Sequence, residues 1–363
     1  MIPLRALKFI NLKILFLMLF LLGIGLAFIY SASYQDSGAL LFVHKQLFFI
    51  GVGLIAFWFA MNMEFRTLNL ASPFFYFSSL LMLVLVLWVG QIHNGAKSWF
   101  DFGFFSLQPS EIAKMGIVFM LARYLSERRE DRFKLSYVLI STIWVGIPML
   151  LILKQPDLGT AMVLVPVLLG MLFIAGARLR YLVGMILLSV LSLPVIWSVL
   201  HSYQRQRLMV FLNPNRDPLG SGYHAIQSKI AVGSGGWFGK GWLQGTQSQL
   251  HFVPERHTDF IFSVLGEEWG FIGCWMVLLA YLLLILSALQ VATSSEDLFG
   301  RLLAVGFVLV LIAHVIINTG MTVGVAPITG IPLSLISYGG SHLITIMACL
   351  GFIENIHIAK NLR

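Results

Sequence analysis

The chain has 363 residues, of which 58% are hydrophobic and only 11% are charged, and its mean hydropathy is +0.87. Soluble domains carry about 25% charged residues, so this composition excludes an ordinary soluble enzyme. The net charge of +8 is typical of a membrane protein with cation-rich inner loops. Because the sequence contains no RNA- or DNA-binding motif, we expect no nucleic-acid partner.

Ten apolar stretches are long enough to cross a bilayer, since a spanning helix needs roughly 20 mostly apolar residues. They are too long for barrel strands, and lipid admits only helices or closed barrels. The sequence therefore predicts an all-α, polytopic membrane protein that forms a single domain over residues 1–363. The predicted spans are 12–31, 46–62, 71–90, 108–126, 135–153, 159–176, 180–200, 262–291, 300–323 and 334–356.

Lysine and arginine are concentrated at one set of helix ends, including the charged turn Ser126–Lys134 and the neighbouring Arg178 and Arg180. Cytoplasmic loops of membrane proteins are enriched in these two residues. We therefore predict that both termini are cytoplasmic and that the chemistry takes place on the outer side.

The large loop of residues 201–258, between the seventh and eighth spans, is predicted to be extracytoplasmic. Loops this long are uncommon in compact proteins and are often functional. A short helix is predicted from Tyr223 to Val232, where Ile226 and Ile230 share a face that can lie in the membrane interface. The glycine-rich stretch Gly233–Trp242 suits a segment that follows the bilayer surface.

Charged groups inside a membrane are costly and are therefore functional candidates. Glu111 and Lys114 are three residues apart on one face of the fourth span. They form either an internal ion pair or a cavity-facing pair in which Lys114 meets an anionic ligand. Asp157 precedes the sixth span, where it either caps the helix or lines a site. For the neighbouring acids Glu267 and Glu268 we favour a structural role.

Asp259 is the sharpest catalytic candidate, because it joins the outer loop to the eighth span beside Phe260 and Phe262. A partly desolvated carboxylate has a raised pKa, which suits a general base. The alternative is that Thr258 or Asp259 only caps the helix. The adjacent His257 is expected to act as a hydrogen-bonding partner.

The connection Val325–Ser341 contains helix-breaking prolines and a glycine pair, as expected of a re-entrant loop that lines a cavity. Such backbone exposes groups that can hold a polar ligand, which makes Ser337, Gly339 and Gly340 candidate contacts. Packing alone would also explain the glycines.

Taken in order, these segments resemble the shape, elongation, division and sporulation (SEDS) family over nearly the whole chain. The motif GTQSQL at Gly245–Leu250 favours the elongation branch of the family over its division branch. His342 departs from the pattern, since many relatives have a small residue there. The matching segments are Asn94–Ala96, Trp99, Gln108–Lys114, Gln155–Thr160, Tyr203–Arg207, Asp217–Gly236, Gly239–Trp242, Gly245–Phe262 and Pro327–Ser341.

The resemblance implies a peptidoglycan glycosyltransferase of the bacterial cytoplasmic (inner) membrane that polymerises lipid II into glycan strands. It implies lipid II, the growing lipid-linked glycan and membrane lipids as ligands. It also implies a class B penicillin-binding protein, a transpeptidase, and other membrane proteins of the elongation complex as partners. In the family, the carboxylate that matches Asp259 is essential, and the positions that match Glu111 and Lys114 are functionally important.

We assign Asp259 as the base that deprotonates the acceptor hydroxyl. The leaving diphosphate carries negative charge that cations or a metal must meet. A divalent cation, Mg²⁺ or Mn²⁺, is an open alternative, although the sequence contains no evident metal-ligand cluster. The cations considered for this role are Lys114, Arg205, Arg207, Lys240 and Arg256.

Two other function classes fit part of the pattern. A lipid flippase or transporter also needs intramembrane charge and broken helices. A non-catalytic scaffold of a wall-building complex would depend on its surface and would tolerate the loss of Asp259.

Overall fold

The computed structural model describes residues 9–36, 38–93, 96–103, 105–192, 194, 197–198, 202–217 and 220–361. Long apolar runs form helices here because a helix satisfies its own backbone hydrogen bonds in lipid. The helices are α1 (Leu12–Ser33), α2 (Ala39–Asn62), α3 (Phe65–Val89), α4 (Pro109–Glu127), α5 (Leu135–Lys154), α6 (Leu158–Ile174), α7 (Leu179–Leu191), α8 (Ser202–Leu212), α9 (Ser221–Ser234), α10 (Thr246–Gln249), α11 (Ile261–Ser294), α12 (Leu298–Val323) and α13 (Gly340–Asn361).

Seven of the described helices are long and apolar enough to cross a membrane: α1, α2, α3, α5, α11, α12 and α13. The remaining predicted spans correspond to α4, which contains four charged residues, and to the shorter apolar helices α6 and α7. The prediction of a helical, polytopic membrane protein is confirmed. Part of the seventh predicted span, at 193, 195–196 and 199–200, lies outside the described residues, as does residue 201 at the start of the predicted loop.

A small antiparallel sheet between α3 and α4 is the one described feature at odds with a purely helical chain. It consists of β1 (Gln91–His93), β2 (Ala96–Asp101) and β3 (Ser106–Leu107), in the order β1-β2-β3. The Asn94–Gly95 dipeptide between β1 and β2 is a hairpin-turn signal, but it lies outside the described residues. Apolar periodicity alone did not predict these strands because they are short and carry polar residues.

Among the seven long apolar helices, α12 and α13 are the most deeply buried. Of the 18 residues that form the apolar stretch of each helix, 72% are buried in α12 and 83% in α13. Helix α12 packs on α4, α6 and α11, and α13 packs along α2. At Gly351 a Cβ would come within 2.4 Å of the Phe57 carbonyl oxygen of α2. Small residues of this kind allow helices to approach closely in membranes.

The predicted helix of the outer loop is present as α9, and it packs on α11 and α12. Its buried positions include Ala225, Ser228 and Ala231. The Ser228 hydroxyl lies 2.7 Å from the Ser263 hydroxyl and donates to the Thr322 carbonyl oxygen at 2.7 Å. One face of α9 therefore closes over the starts and ends of spanning helices, and the rest remains on the surface.

Helix α11 is broken at Gly270, where φ is +66° and the backbone is not helical. The glycine-rich segment Gly236–Gly241 lies against this break. Glycine is required at the break because a Cβ on Gly270 would come within 2.3 Å of the Gly239 nitrogen. Four backbone hydrogen bonds join segment and helix: Phe271 N to Gly236 O (2.8 Å), Ile272 N to Trp237 O (3.1 Å), Lys240 N to Glu267 O (3.0 Å) and Gly241 N to Glu268 O (3.1 Å).

Candidate active site

A cavity of about 400 Å³ opens at one end of the bundle. The sheet before α4, the turn before α6, the start of α11 and the connection from α12 to α13 meet there. Consecutive spans alternate in direction, so these junctions must share one end. Four carboxylates line the cavity: Glu111, Asp157, Glu255 and Asp259. Among the described lining residues they face one guanidinium, that of Arg207.

Asp259 lies directly before α11 with its side chain on the cavity. The predicted capping role is not seen, because Phe260 occupies the N-cap and no side chain caps this helix. Asn318 holds the backbone in place by donating from Nδ2 to the Asp259 carbonyl oxygen at 2.8 Å and to the Ile331 carbonyl oxygen at 2.7 Å. This amide fixes the start of α11 against the re-entrant loop.

The pKa of Asp259 is raised to about 7, first because burial of the carboxyl desolvates its charged form. The residue is half-buried and lines the cavity. The charge of Glu255 raises the pKa further, and Arg207 opposes both effects. The carboxyl is therefore poised to accept a proton near neutral pH.

The turn that carries Asp259 is tight. Glu255 has a φ of +46°, and its carbonyl oxygen accepts hydrogen bonds from the backbone nitrogens of Thr258 and Phe260, each at 3.2 Å. Side chains other than glycine rarely adopt this backbone conformation, and strain of this kind clusters at functional sites. The turn places the Glu255 and Asp259 carboxylates on the same cavity.

A buried polar cluster, formed by Glu111, Lys114, His314 and His342, makes up part of one wall of the cavity. The Lys114 ammonium donates to Glu111 Oε1 at 2.8 Å and lies 2.7 Å from His314 Nε2. His342 Nδ1 lies 2.9 Å from Glu111 Oε2, and the two imidazole rings stack at 4.4 Å. The predicted ion pair is present, but Lys114 itself does not line the cavity.

The hydrogen-bond partners assign the histidine tautomers in this cluster. His314 Nδ1 faces the Pro332 carbonyl oxygen at 3.3 Å and must donate, which leaves Nε2 as the acceptor for Lys114. His342 Nδ1 donates to the Glu111 carboxylate, and its Nε2 lies 3.1 Å from the Ser334 hydroxyl. The Glu111–Lys114 pair is internally compensated.

Glu111, His314 and His342 also place one ligand atom each within 4.8 Å of one another, a spacing that a metal ion could use. The chemistry of the donor set does not fit one. The Lys114 ammonium occupies the His314 lone pair and one Glu111 oxygen, so a divalent ion there would lie against a buried positive charge. We therefore derive no step through a metal at this cluster.

Asp157 combines the two roles that the sequence left open. It caps α6 by accepting from the Thr160 backbone nitrogen at 2.9 Å and from the Thr160 hydroxyl at 2.7 Å. Gln108 Nε2 donates at 3.2 Å to Asp157 Oδ2, the oxygen that also accepts from the Thr160 hydroxyl. It also lines the cavity, so capping fixes a carboxylate that faces the site.

Of the four outer-loop cations considered for the diphosphate, Arg207 alone lines the cavity. It also donates to the Ile328 carbonyl oxygen at 3.4 Å. The other three have different partners, which sequence spacing could not reveal: Arg205 donates to Ser198 O at 2.6 Å, Lys240 pairs with Glu267 at 2.9 Å, and Arg256 pairs with both Asp36 oxygens at 2.8 Å. These three therefore lie outside the cavity, and their role at the diphosphate stays a prediction.

His257 lies behind the cavity wall, where its ring packs 4.8 Å from the Phe42 ring and its carbonyl oxygen accepts from Tyr338 N at 2.9 Å. Ser337 also has a structural role, since its hydroxyl donates to the Thr258 carbonyl oxygen at 2.6 Å. Gly339 lines the cavity. Gly340 begins α13 and lies against the Phe49 ring.

Several lining residues were missed by the sequence reasoning. His314 was detectable as a polar residue inside an apolar span, which is a recognised sign of function. Glu255 gave no such sign, because its effect depends on the turn that brings it to Asp259. Trp99 and Tyr338 lay in the matched motifs but had been given no role.

Comparison with known proteins supports the motif resemblance. The family described as cell cycle protein FtsW/RodA/SpoVE matches residues 12–362. The peptidoglycan glycosyltransferase MrdB of Escherichia coli K12 is 42% identical over 96% of this chain and 93% of its own length.

Two solved structures extend the likeness to the fold. A chain of a peptidoglycan synthase complex has a TM-score of 0.84 and 32% identity, over 98% of this chain and 99% of that chain. RodA, the rod shape determining protein of Thermus thermophilus, has a TM-score of 0.72 and 30% identity over 96% of each chain. Since the family match, the sequence identity and the fold agree, the chain belongs to the FtsW/RodA/SpoVE family, also called SEDS.

Proposed function

We propose that the chain is a peptidoglycan glycosyltransferase that polymerises lipid II into glycan strands during cell-wall elongation. The observation that carries the proposal is the Asp259 carboxyl, which has a pKa of about 7 and faces a cavity at the end of a membrane bundle. The names of the relatives, MrdB and a peptidoglycan synthase chain, support the same reaction.

The reaction needs one base and a stabilised leaving group. Asp259 takes the proton from the 4-hydroxyl of the acceptor sugar. The oxygen then attacks the anomeric carbon of the donor, the bond from that carbon to the diphosphate oxygen breaks, and the diphosphate leaves with the electron pair. This single displacement inverts the anomeric centre. Asp259 afterwards returns the proton to water.

Arg207 is the cation best placed to meet the charge that develops on the diphosphate, since it lines the cavity with Asp259. Its positive charge also lowers the pKa of Asp259. Lys114 acts indirectly, by holding Glu111 in the cavity wall. A divalent cation at the diphosphate remains compatible with this scheme, and none of the steps above depends on it.

We place the cavity end on the outer side of the bacterial cytoplasmic membrane, with both termini in the cytoplasm. The cation-rich turn Ser126–Lys134 lies at the opposite end of α4 from the cavity, as the positive-inside rule requires. A class B penicillin-binding protein is the partner that such a polymerase needs for crosslinking, and the likeness to a synthase-complex chain supports this pairing.

The direct test compares Asp259→Asn with Asp101→Asn in polymerisation of lipid II by purified protein. Asp101 is a matched control at the same end of the bundle, where it accepts from Gly103 N in the hairpin and does not line the cavity. We expect Asp259→Asn to lose about 10²–10⁴-fold in rate, the usual contribution of a general base. Near-native polymerisation by a folded Asp259→Asn protein would end the base assignment.

The pH dependence gives a second test. A base with a pKa of about 7 is active when deprotonated, so the rate should rise from pH 6 to pH 8 and then level off. Because the Glu255 charge raises this pKa, Glu255→Gln should move the midpoint to lower pH. A midpoint that does not move, or moves upward, would show that another group controls the rate.

Transport of the lipid precursor is the competing function. An assay in detergent distinguishes transport from catalysis. In micelles there are no leaflets to cross, so formation of glycan chains from lipid II there requires catalysis. A protein that moves lipid II between leaflets of vesicles but forms no glycan in detergent would support transport instead.

A further inference from the structure

The make-up of the cavity wall indicates which part of the substrate it can hold. Four carboxylates and one guanidinium line it, together with the rings of Trp99 and Tyr338. Except beside Arg207, a diphosphate would face an excess of negative charge, which is unfavourable at short range in a partly buried site. A neutral sugar would instead donate its hydroxyls to the carboxylates and place its C–H faces on a ring.

The chemistry of the proposed reaction, on which this inference rests, indicates which sugar of the substrate the cavity holds. In a linear polymer of disaccharide units, the sugar bonded to diphosphate provides the anomeric carbon. The hydroxyl that attacks must therefore belong to the other sugar, which is one ring away from the diphosphate of its own lipid. That distal sugar of the acceptor is the part of the substrate that can enter an acidic cavity beside Asp259.

Trp99 is positioned by the small sheet at the mouth of the cavity. It lies in β2 opposite Gln91 of β1, and its neighbour Phe100 pairs with Leu107 of β3. Pairing on both sides fixes the strand, while the indole remains half-buried and lines the cavity. A tryptophan held this way presents a large apolar surface at little cost in side-chain entropy.

Tyr338, the other ring on the wall, is also half-buried, and it offers a smaller apolar face than the indole of Trp99. Its ring makes contacts with Phe42 at 5.4 Å, with His257 at 5.7 Å and with Phe49 at 6.4 Å. We infer that Trp99 is the stacking platform for the distal N-acetylhexosamine ring of the acceptor, and that it orients the attacking hydroxyl toward Asp259. Trp99 is thus a substrate-binding residue for the acceptor and not for the lipid diphosphate.

The experiment separates acceptor from donor. A preformed lipid-linked glycan is supplied at saturation as donor, and lipid II is varied as acceptor. We expect Trp99→Leu to raise the acceptor KM about tenfold, the size of one aromatic contact, with kcat within about twofold. Trp99→Phe keeps a ring and should recover most of the loss. Trp88→Leu is the control, because Trp88 is 80% exposed at the end of α3 and lies outside the cavity.

Two soluble inhibitors identify the contact. The disaccharide-peptide of lipid II, freed of its lipid diphosphate, should inhibit the native protein and lose about tenfold in potency against Trp99→Leu. Farnesyl diphosphate, which has no sugar, should inhibit both proteins equally. Equal weakening of both inhibitors would overturn the acceptor assignment.

Three further outcomes distinguish a failure of the Trp99 inference from a failure of the proposed function. An unchanged acceptor KM in Trp99→Leu would overturn the inference while native polymerisation upheld the proposed function. Parallel losses of kcat and melting temperature in both Trp99→Leu and Trp99→Phe would show a merely structural residue and would also overturn it. Absence of polymerisation by the native protein, by contrast, would count against the proposed function itself.

Discussion

Two buried lysine–glutamate pairs have nearly the same geometry and different surroundings. Lys114 and Glu111 lie 2.8 Å apart on α4, with side-chain exposures of 1% and 3%. Lys240 and Glu267 lie 2.9 Å apart and join the outer loop to α11, with exposures of 27% and 0%. The first pair borders the cavity, and the second lies away from it.

The difference lies in what else satisfies each carboxylate. Glu267 also accepts from the backbone nitrogens of Gln247 at 2.8 Å and Ser248 at 3.0 Å, so it holds α10 even without its lysine. Glu111 depends on two side chains, Lys114 and His342. A buried charge is stabilised only while its partners remain. Glu111 and Lys114 therefore depend on each other for stability. Glu267 is stabilised mainly by backbone donors, and Lys240 adds little to that.

The strongest way to test this contrast is Lys114→Met. It leaves the Glu111 charge buried without its main partner, which costs about 3–5 kcal/mol. We expect a large fall in melting temperature in detergent and loss of polymerisation. The double variant Glu111→Gln with Lys114→Met should regain most of the thermal stability but not the activity. A single variant that melts like the native protein would contradict the proposed dependence.

The second test is Glu267→Ala, which removes the acceptor for the buried backbone N–H of Ser248 and the part-buried N–H of Gln247. Each orphaned group costs about 1–3 kcal/mol. We expect a lower melting temperature, with activity per folded molecule within about twofold of native. Glu267→Gln retains one acceptor oxygen, so its melting temperature should lie between those of Glu267→Ala and the native protein. A specific loss of catalysis without loss of stability would place this pair in the site after all.

A smaller effect is expected from His342→Phe, which keeps a ring beside His314 but removes the donor to Glu111. Loss of one hydrogen bond to a charged group costs about 1.5–3 kcal/mol at most. The activity should fall more than the thermal stability, because Glu111 loses its fixed orientation in the cavity wall. If the His342→Phe protein had native thermal stability and native activity, His342 would have no role in positioning Glu111.

Lys240→Met should have the smallest effect. Its side chain is partly exposed, and Glu267 retains its two backbone donors. Partly exposed pairs contribute about 0–1 kcal/mol. Melting curves and polymerisation rates should therefore resemble those of the native protein. A loss as large as that of Lys114→Met would mean that the two pairs are equivalent.

The sequence predicted the helical architecture well because apolar length directly limits what can span lipid. Asp259, Glu111 and Asp157, which the sequence singled out as candidates, line the cavity. The cations Lys240 and Arg256 lie outside it and pair with Glu267 and Asp36, which are distant in the sequence and cannot be identified by spacing. Contacts between distant spans, such as Lys114 with His314 across 200 positions, leave no local pattern to read.

The break at Gly270 has a mechanical consequence. A kinked helix is often treated as a hinge, but here bending would rupture the four hydrogen bonds to Gly236–Gly241. The outer turns of α11, from Ile261 to Trp269, and the glycine strip thus move as one solid piece. Since Asp259 lies two residues before that piece, any force on the strip reaches its carboxyl, the proposed base, as displacement and is not absorbed on the way.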